Sequence, residues 1–400
     1  MMLSEDRRSR AHFDMPLTII TFALAIFGVL AVSVATYTTS SSSEASLLNH
    51  IVESNYSMRQ AIFLLIAPLV IGVMASLPYD FLRRRASLFY YISLFILVVV
   101  LATNGAEGVK AWVDIIWGFT VQPTEFAKLS MILILARTLA RYDRPMSNMR
   151  EFWKIMMIVA WPSLLTMAQG EMGTLLVMVF IFGIMLYFGN VSLKLLIGMV
   201  GVAVLAVLAI YGVAVASGSD NYRLQRILSF FNPEMYAQTD AFQQTQSKMA
   251  IGSGGLNGIG MFVDGSMSQL NSVPEDWTDF IFSTIGEAFG FVGCAGVLIL
   301  YFLLIARMIY LARFTKDKYG KLVIIGVMSM FLFHVFQNIA MTIGLMPITG
   351  IPLPFLSYGG SNMVTNMAGV GMVLNVVKNR SLSHSIVTPQ IGTSNYKFGR

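Results

Sequence analysis

The stretch PLTIITFALAIFGVLAVSVAT, residues 16–36, decides the fold class, because its 21 residues carry no charged side chain. A helix of this length spans about 30 Å, the thickness of a hydrocarbon core. It exceeds the apolar region of about 7–15 residues in a cleaved signal peptide, so we predict a retained helix. Similar apolar windows recur along the chain. The ten candidate helices cover residues 16–36, 60–77, 86–103, 122–140, 152–168, 172–188, 191–216, 279–311, 322–345 and 359–377.

The composition also indicates a membrane protein. Of the 400 residues, 56% are hydrophobic and only 12% are charged, about half the charged fraction of a typical soluble domain. The mean hydropathy is +0.69. We therefore predict an all-α protein that crosses a membrane about ten times. The single cysteine, Cys294, excludes an internal disulfide and a cysteine-built metal site, and the four histidines are too scattered to form a metal centre.

The net charge of +6 is explained by topology better than by a nucleic-acid partner. If ten helices follow a cytoplasmic N-terminus, nearly all lysines and arginines fall on the inner side of the membrane. This distribution is the positive-inside rule, so we predict that both termini are cytoplasmic. The predicted outer segments contain only Arg59, Lys110, Arg223, Arg226 and Lys248.

One predicted connection is much longer than the others. Residues 217–278 form a polar, glycine- and glutamine-rich loop on the predicted outer side, and loops of this length are usually functional or disordered. Apolar residues recur through the loop, which favours a folded structure. We divide the chain into a cytoplasmic N-terminus of residues 1–15, one membrane domain of residues 16–378 and a cytoplasmic tail of residues 379–400.

Charged side chains at the ends of predicted membrane helices are candidates for function, because a membrane interior disfavours them strongly. Glu125 and Lys128 lie three residues apart in QPTEFAKLS and so face the same side of a helix. Two interpretations remain open for this pair. It is either a local ion pair that makes the lysine tolerable in lipid, or a part of a functional site.

A group of acids precedes the eighth predicted helix, in PEDWTDFIFSTIGE. Glu275, Asp276 and Asp279 crowd one end of this helix, where a single carboxylate would suffice as an N-terminal cap. Glu287 lies about two turns further along, and we expect it to make a structural hydrogen bond across helices.

Two further segments are rich in proline or glycine. In MPITGIPLPFLSYGGSN, residues 346–362, three prolines prevent a regular helix, and such backbone is tolerated at membrane depth only against protein or a water-filled cavity. In AIGSGGLNGIG, residues 250–260, Asn257 breaks the G-x-G-x-x-G spacing of a nucleotide-binding loop. We expect this second segment to form a compact loop with backbone N–H groups free to meet an anion.

Five stretches of the chain are long and specific enough to compare with known families. They are QPTEFAK (122–128), YRLQRILSFFNPE (222–234), QSKMAIGSGGLNGIG (246–260), SQLNSVPEDWTDFIFSTIGE (268–287) and NIAMTIGLMPITGIPLPFLSYGGS (338–361). Together they resemble the SEDS family, the shape, elongation, division and sporulation proteins, and the likeness extends from about residue 14 to residue 380. The SMSQLNSVPE stretch and the short C-terminal tail resemble the RodA branch more than the FtsW branch.

The resemblance implies a ten-helix peptidoglycan glycosyltransferase of the bacterial cytoplasmic membrane. Such an enzyme would polymerise lipid II on the outer face for cell-wall elongation and cell shape, with a class B penicillin-binding protein and other elongation-complex membrane proteins as partners. A carboxylate would take the proton of the acceptor sugar hydroxyl while undecaprenyl pyrophosphate leaves. The charge on the leaving group calls for cations, and we expect Lys128, Arg226 or a divalent ion, Mg²⁺ or Mn²⁺, near Asp279.

The family's functional positions can be carried over residue by residue. The acid of the TDFIF motif is Asp279, which we expect to be catalytic. Three departures stand out. Ala111 replaces the usual basic residue before Trp112, with Lys110 one position earlier. Glu287–Ala288 replaces the usual acidic pair after TDFIF, and residues 169–171, Gln-Gly-Glu, replace the usual Gln-Pro-Asp; both of these are expected outside the centre. The expected substrate-binding residues are Glu125, Lys128, Arg226, Lys110, Trp112, Gln246, Ser253, Gly254, Gly255, Ser357, Tyr358, Gly359, Gly360 and Ser361.

Two other functions fit part of the pattern. A lipid flippase or transporter would also need polar residues at an interrupted helix, although such proteins often have paired interruptions and this chain has a single proline-interrupted segment. A non-catalytic scaffold of a wall-synthesis complex would tolerate the substitution Asp279→Asn. The glycosyltransferase is favoured mainly by the resemblance, because composition and topology alone leave enzyme and transporter near parity.

Overall fold

The computed structural model describes residues 13–37, 51–52, 54–102, 113–114, 120–216 and 240–379. These residues form eleven α-helices of three turns or more and one two-stranded antiparallel ladder. The helices are α1 (Met15–Ala35), α2 (Asn55–Ser76), α3 (Tyr79–Ala102), α4 (Pro123–Leu139), α5 (Met149–Gln169), α6 (Met172–Phe188), α7 (Leu193–Ala216), α8 (Asp240–Ser253), α9 (Ile281–Phe314), α10 (Lys318–Thr342) and α11 (Gly360–Asn379). The strands are β1 (Val113–Asp114) and β2 (Thr120–Val121).

Each of the ten predicted segments coincides with a helix, and α8 is an additional helix inside the predicted outer loop. The largest difference is at α3, which begins at Tyr79 rather than at residue 86. The hydropathy window stops at Arg83 to Arg85, whereas the helix continues through them because an exposed charged side chain leaves the backbone hydrogen bonds intact. The helix α2 also begins early, at Asn55, where the Ser54 side chain caps its first turn.

Five helices are long and apolar enough to cross a membrane by length and composition alone, namely α1, α2, α3, α9 and α10. The shorter α6 and the first half of α7 are apolar as well. Large apolar side chains such as Leu65, Leu69 and Phe302 are about 70% exposed or more. A surface of this kind is unfavourable in water and suits a hydrocarbon environment. The fold is therefore that of an all-α polytopic membrane protein.

The centre of the bundle contains α4, α10 and α11. Nearly all residues of α4 and α11 are buried, and the apolar window of α10 is 72% buried, against 22% for α2. Small residues bring these helices close together, since a Cβ at Gly326 of α10 would lie 2.5 Å from the Ile132 side chain of α4. Polar side chains on α4 and α10 are thereby kept away from lipid.

The long helix α9 is interrupted at Gly290, whose φ of 63° lies in the left-handed region. A Cβ at this position would lie 2.3 Å from the nitrogen of Gly258, so only glycine fits. The outer loop satisfies backbone groups at the interruption, because the Phe291 N–H donates to Gly255 O at 2.9 Å. The loop is therefore fastened to the membrane bundle at this point.

Candidate active site

The residues that link α10 to α11, 343–359, lie against the residues that precede α9. The Ser357 hydroxyl donates to Thr278 O at 2.6 Å, and the Tyr358 N–H donates to Trp277 O at 2.9 Å. As predicted, the prolines of this linker prevent a regular helix. Its backbone groups are bonded instead to the segment that carries Asp279, which fixes the two segments relative to each other.

Asp279 is held through its backbone by Asn338 of α10. The Asn338 Nδ2 donates to Asp279 O at 2.7 Å and to Ile351 O at 2.8 Å. Asn338 is fully buried, so removing its side chain would leave two carbonyl oxygens without these donors. The Asp279 side chain is half-buried, and a Cβ at Gly350 would lie 3.3 Å from its Oδ2. The backbone of Asp279 is therefore fixed, and its carboxylate lies at the edge of the linker.

Three aromatic side chains cluster beside this segment. The ring of Tyr56 stacks on Trp277, with centroids 5.4 Å apart and 26° between the planes, and it meets Tyr358 edge-on at 5.1 Å. Tyr56 is exposed, whereas the other two rings are half-buried. Tyr358 was an expected site residue, whereas Tyr56 and Trp277 were not, because their proximity depends on how α2 packs. Such faces offer an apolar, weakly negative surface that suits the apolar face of a sugar ring.

Neighbouring elements hold the polar segment from Ser357 to Ser361, which comprises the end of the linker and the start of α11. Gln60 of α2 donates from Nε2 to Ser357 O at 3.2 Å and accepts from the Gly359 N–H at 3.4 Å. The Ser361 hydroxyl accepts from the Gln122 N–H at 3.0 Å and donates to the backbone of β2 at 3.2 Å. These contacts join α2, β2 and the start of α4 to the linker.

The structure therefore brings the expected residues of the linker together and gives most of them structural contacts. Ser357, Gly359 and Ser361 are bonded to neighbouring backbone or side chains, as described above. Gly360 lies so close to Phe63 that a Cβ would be 2.2 Å from the ring. Tyr358 differs from these residues, because its half-buried side chain lies in the aromatic cluster.

A buried chain of polar contacts connects α4 to the linker. Lys128 Nζ lies 2.8 Å from both Glu125 Oε1 and His334 Nε2, and His334 Nδ1 lies 3.1 Å from Pro352 O. Since the lysine ammonium can only donate, His334 Nε2 accepts and its Nδ1 carries the proton donated to Pro352. All three side chains are at most 2% exposed. His334 was not expected from the sequence, where a single histidine in an apolar helix gives no signal.

Lys128 and Asp279 are connected through α10 rather than by direct contact. The described partners of Lys128 are Glu125 and His334, and Asp279 is held by Asn338, one helical turn along α10 from His334. The local ion pair, one of the two interpretations of the sequence, is therefore present. The expectation that Lys128 lies near Asp279 stays a prediction.

Glu171 lies against the first turn of α4. Its carboxylate accepts hydrogen bonds from Gln122 Nε2 and, at 2.8 Å, from Thr124 Oγ1. The tight turn at Gly170, with φ 95°, directs Glu171 towards the first turn of α4. The departure at residues 169–171 thus lies against the QPTE motif, and the expectation that it lies outside the catalytic centre stays a prediction.

The glycine-rich segment 250–260 packs on the interruption of α9. The N–H groups of residues 258–260 all donate to backbone carbonyl oxygens within 3.1 Å. A Cβ at Gly254 would lie 1.9 Å from a carbonyl oxygen of α9, and Gly255 has φ +54°. The Ser253 hydroxyl donates back into α8. The expectation that this loop offers free N–H groups to an anion is therefore wrong for residues 258–260.

Glu287 has a structural role, as expected, although its partner is the outer loop rather than another helix. Its Oε1 accepts from the Met267 N–H at 2.6 Å, and its Oε2 accepts from the Ser268 N–H at 3.0 Å and hydroxyl at 2.6 Å. Glu287 is 2% exposed. It fastens the outer loop to the first turns of α9.

Of the remaining expected site residues, only one lies within the described ranges. Gln246 is half-buried on α8, whereas Lys110, Trp112 and Arg226 lie outside the described ranges. Within those ranges, no group of three or more His, Cys, Asp or Glu side chains could hold a metal ion. Asp276, the acid nearest Asp279 in sequence, is fully buried. The described residues therefore do not fit a protein-held Mg²⁺ or Mn²⁺, and the divalent cation stays a prediction.

Comparison with known proteins gives a consistent result over almost the whole chain. Residues 15–382 match the family described as FTSW_RODA_SPOVE, cell cycle protein. The chain is 34% identical over 315 residues to the peptidoglycan glycosyltransferase MrdB of Escherichia coli K12, covering 78% of this chain and 83% of that protein. It is 32% identical over 371 residues to the stage V sporulation protein E of Bacillus subtilis, covering 91% and 96%.

Solved structures show the same similarity in three dimensions. A chain from a peptidoglycan synthase complex that coordinates polymerization and crosslinking superposes with a TM-score of 0.74 and 26% identity, over 92% of this chain and 98% of that one. The rod shape determining protein RodA of Thermus thermophilus superposes with a TM-score of 0.66 and 26% identity, over 92% and 97%.

Proposed function

Because the chain belongs to the family of cell cycle proteins that includes FtsW, RodA and SpoVE, we propose that it polymerises lipid II on the outer face of the membrane. It is a peptidoglycan glycosyltransferase, and a multi-pass protein of the bacterial inner membrane. The finer parts of the proposal are the lipid-linked substrate, inversion at the anomeric carbon, and a role in elongation and cell shape. Relatives from several branches match the chain, so the RodA-like assignment stays a prediction.

The proposed reaction uses Asp279 as a general base. The 4-hydroxyl of the acceptor sugar gives its proton to the Asp279 carboxylate, and its oxygen attacks the anomeric carbon of the lipid-linked donor chain. The bond from that carbon to the pyrophosphate breaks, and undecaprenyl pyrophosphate leaves with the bonding electrons. Attack from the face opposite the leaving group inverts the configuration, so no covalent enzyme intermediate is needed.

One observation carries the assignment of Asp279: its backbone is fixed by the buried Asn338 while its carboxylate stays half-buried at the linker. A general base must be held within hydrogen-bond reach of the proton that it removes. The neighbouring acids are less suitable, because Asp276 is fully buried and Glu275 is exposed and accepts a hydrogen bond from Thr278.

Two further groups of residues have roles in this proposal. Tyr56, Trp277 and Tyr358 provide the surface on which a sugar ring packs, next to the base. The buried pair of Glu125 and Lys128 acts on the linker through His334 and Pro352, so it positions the site and does not contact substrate. The candidates for binding the pyrophosphate are then Arg226 and Lys110, on the predicted outer side.

The proposal also fixes the orientation of the protein and a class of partner. Ten membrane-crossing helices and cytoplasmic termini would place Asp279 on the outer side, where the positive-inside rule leaves few basic residues. A class B penicillin-binding protein is the proposed partner, which agrees with the similarity to a chain from a peptidoglycan synthase complex. The two activities, polymerisation and crosslinking, would then act on the same new glycan.

The substitution Asp279→Asn tests the base directly. The amide cannot accept the proton, so we expect glycan synthesis from purified lipid II to fall by about a hundredfold or more, as for loss of a general base. The measurement is the length distribution of labelled glycan chains, with and without the penicillin-binding partner. The matched control is Glu275→Gln, which removes an exposed carboxylate four residues away and should leave synthesis unchanged.

The same experiment separates the alternative functions. Movement of lipid II across the membrane without chain growth, by the unmodified protein, would indicate a flippase. Normal chain growth by the Asp279→Asn protein would remove Asp279 as the base. A scaffold would show no chain growth without its partner, and with the partner it would tolerate Asp279→Asn.

A further inference from the structure

A cavity of about 460 Å³ lies between α3, α4 and α5, at the end of the bundle away from Asp279. It is lined by Arg137 and Arg141 at the end of α4 and by Lys154 in the first turns of α5, together with apolar and aromatic residues. Arg137 lies twelve residues beyond Glu125 on α4, which is about 18 Å along the helix. The basic residues of the cavity therefore lie at the opposite end of α4 from Glu125. The assignment of the cavity to the cytoplasmic side rests on the proposed function and its topology.

The cavity is strongly cationic. Three basic side chains line it, and no carboxylate is among the described residues of its wall. The Arg137 guanidinium is already oriented, because it donates to Arg84 O at 3.1 Å and to the Ser87 hydroxyl at 2.9 Å, both on α3. Arginine carries five N–H donors, so this fixed guanidinium retains donors for a bound anion. The partial negative charge at the C-terminal end of α4 also stabilises basic side chains there.

The rest of the wall is apolar and continues away from the basic residues. Leu94 of α3 and Met157, Ile158 and Trp161 of α5 line it. Trp161 is 51% exposed and lies seven residues beyond Lys154, about 10 Å along α5, at the depth that an acyl chain would occupy. A soluble anion would use the basic residues alone. An apolar extension of the same cavity suits a ligand that joins an anionic headgroup to an acyl chain.

We propose that this cavity binds an anionic phospholipid of the cytoplasmic leaflet, with its phosphate on Arg137, Arg141 and Lys154 and an acyl chain along Trp161. Basic cavities between membrane helices on the cytoplasmic side are suited to anionic lipid headgroups. A lipid at this place contacts α3, α4 and α5 together. It therefore stabilises the inner end of α4, the helix whose outer end carries Glu125 and Lys128.

Native mass spectrometry of the purified full-length protein tests the proposal. Phosphatidylglycerol and phosphatidylcholine with the same acyl chains are offered in equal amounts, and we expect preferential retention of phosphatidylglycerol. The triple substitution Arg137→Gln, Arg141→Gln and Lys154→Gln should lower the retained phosphatidylglycerol by about tenfold. The double substitution Arg141→Gln and Lys154→Gln leaves the contacts of Arg137 to α3 intact, and it should show an intermediate loss with the fold unperturbed.

The matched control removes the same charge from the same side of the membrane. The control variant carries the three substitutions Arg313→Gln, Lys316→Gln and Lys321→Gln. These residues lie at the inner ends of α9 and α10 and do not line the cavity. This variant should retain phosphatidylglycerol as the unmodified protein does. An equal loss in both triple variants would show general surface charge and would overturn the proposal.

Two further arms complete the test. Inorganic phosphate at millimolar concentration should not displace the lipid, and displacement would identify a soluble anion as the ligand instead. Equal retention of the two lipids would also contradict the proposal. The Asp279→Asn protein should bind phosphatidylglycerol normally, because the binding measurement does not depend on catalysis. Failure of the lipid site and failure of the proposed reaction are therefore distinguished.

Discussion

Asp276 is an unusual side chain for a segment that connects two helices. It is fully buried, and among the described residues neither carboxylate oxygen has a hydrogen-bond partner of ordinary geometry. Burial raises its pKa to about 8, and the nearby carboxylates of Glu287 and Glu275 add to the effect. The adjacent backbone N–H groups of Asp276 and Trp277 lower the pKa only in part. The folded protein therefore favours the neutral carboxylic acid at this position.

This raised pKa predicts how stability changes with pH. Below about pH 4 the carboxyl group is protonated in both the folded and the unfolded chain and contributes no difference. Between about pH 4 and pH 8 the unfolded chain releases the proton while the folded protein keeps it, so the free energy of unfolding falls as the pH rises. The substitution Asp276→Asn removes this titration, and its thermal midpoint should fall several degrees less than that of the unmodified protein between pH 5 and pH 8.

The measurement is the apparent thermal midpoint in detergent at a series of pH values. Glu275→Gln is the comparison variant: it removes only the smaller contribution of the Glu275 charge to the raised pKa of Asp276, so it should change the pH profile much less than Asp276→Asn does. Parallel curves for the unmodified and Asp276→Asn proteins would show that Asp276 titrates alike in both states, and would contradict the prediction.

The buried pair of Glu125 and Lys128 shows at the residue scale why sequence proximity is informative but incomplete. Their spacing of three residues places both on one side of α4, and the ion pair follows from helix geometry alone. The contact with His334 joins residues 206 positions apart, so no local pattern contains it. Because both charges are sealed from solvent, each depends on the other, and removing one alone would leave a buried unpaired charge.

At the scale of elements, the interruption of α9 is the feature that connects the outer loop to the bundle. The N–H and C=O groups that a continuous helix would pair within itself are paired with residues 255–260 instead. This arrangement requires glycine at position 290, where the backbone is left-handed and the loop backbone is in close contact.

The substitution Gly290→Ala should therefore destabilise the protein by at least about 2 kcal/mol, from backbone strain and from the clash with Gly258. Gly296→Ala is the matched control in the same helix, because a Cβ there would have no atom within 4 Å. Alanine is the better helix former, so this second change should be neutral or slightly stabilising.

Thermal midpoints of the two variants give the comparison, and hydrogen exchange of residues 255–260 gives a local readout. Exchange should become faster in the Gly290→Ala protein only. Equal midpoints for the two variants would show that the interruption of α9 tolerates a side chain.

At the scale of the whole molecule, the distribution of charge predicts the orientation in the membrane. The sequence predicts ten crossings with both termini inside, and the described helices coincide with all ten predicted segments. Five of them satisfy length and hydropathy requirements by themselves. Of the other five, α4 and α11 are buried at the centre of the bundle, whereas α5, α6 and α7 expose large apolar side chains such as Trp161, Val179 and Val200.

Cysteine labelling tests this orientation. In a Cys294→Ser background, single cysteines replace Ser147, between α4 and α5, and Asn271, in the outer loop, both exposed positions. We expect a membrane-impermeant maleimide to label position 271 in intact spheroplasts and position 147 only after permeabilisation. Labelling of position 147 in intact cells would reverse the orientation and would place Asp279 on the cytoplasmic side.

The sequence by itself determined the helices, the single long outer loop and the segments that carry the site, because hydropathy, proline positions and charge distribution are local properties. It also identified Asp279, Glu125 and Lys128 as candidates by their cost in a membrane. The predicted helix ends were wrong in places, as at Tyr79. A hydropathy window stops at charged residues, whereas the helix continues through them.

Only the tertiary structure decided which of these residues meet. Asn338 reaches Asp279 across 59 positions, and Tyr56 reaches Trp277 across the bundle. Hydropathy determines that a helix is buried in the membrane, but the rotation of each helix about its axis and its depth depend on the packing of its neighbours. The partners of Lys128, the structural role of the glycine-rich loop and the contact of Glu171 with α4 all depend on that rotation.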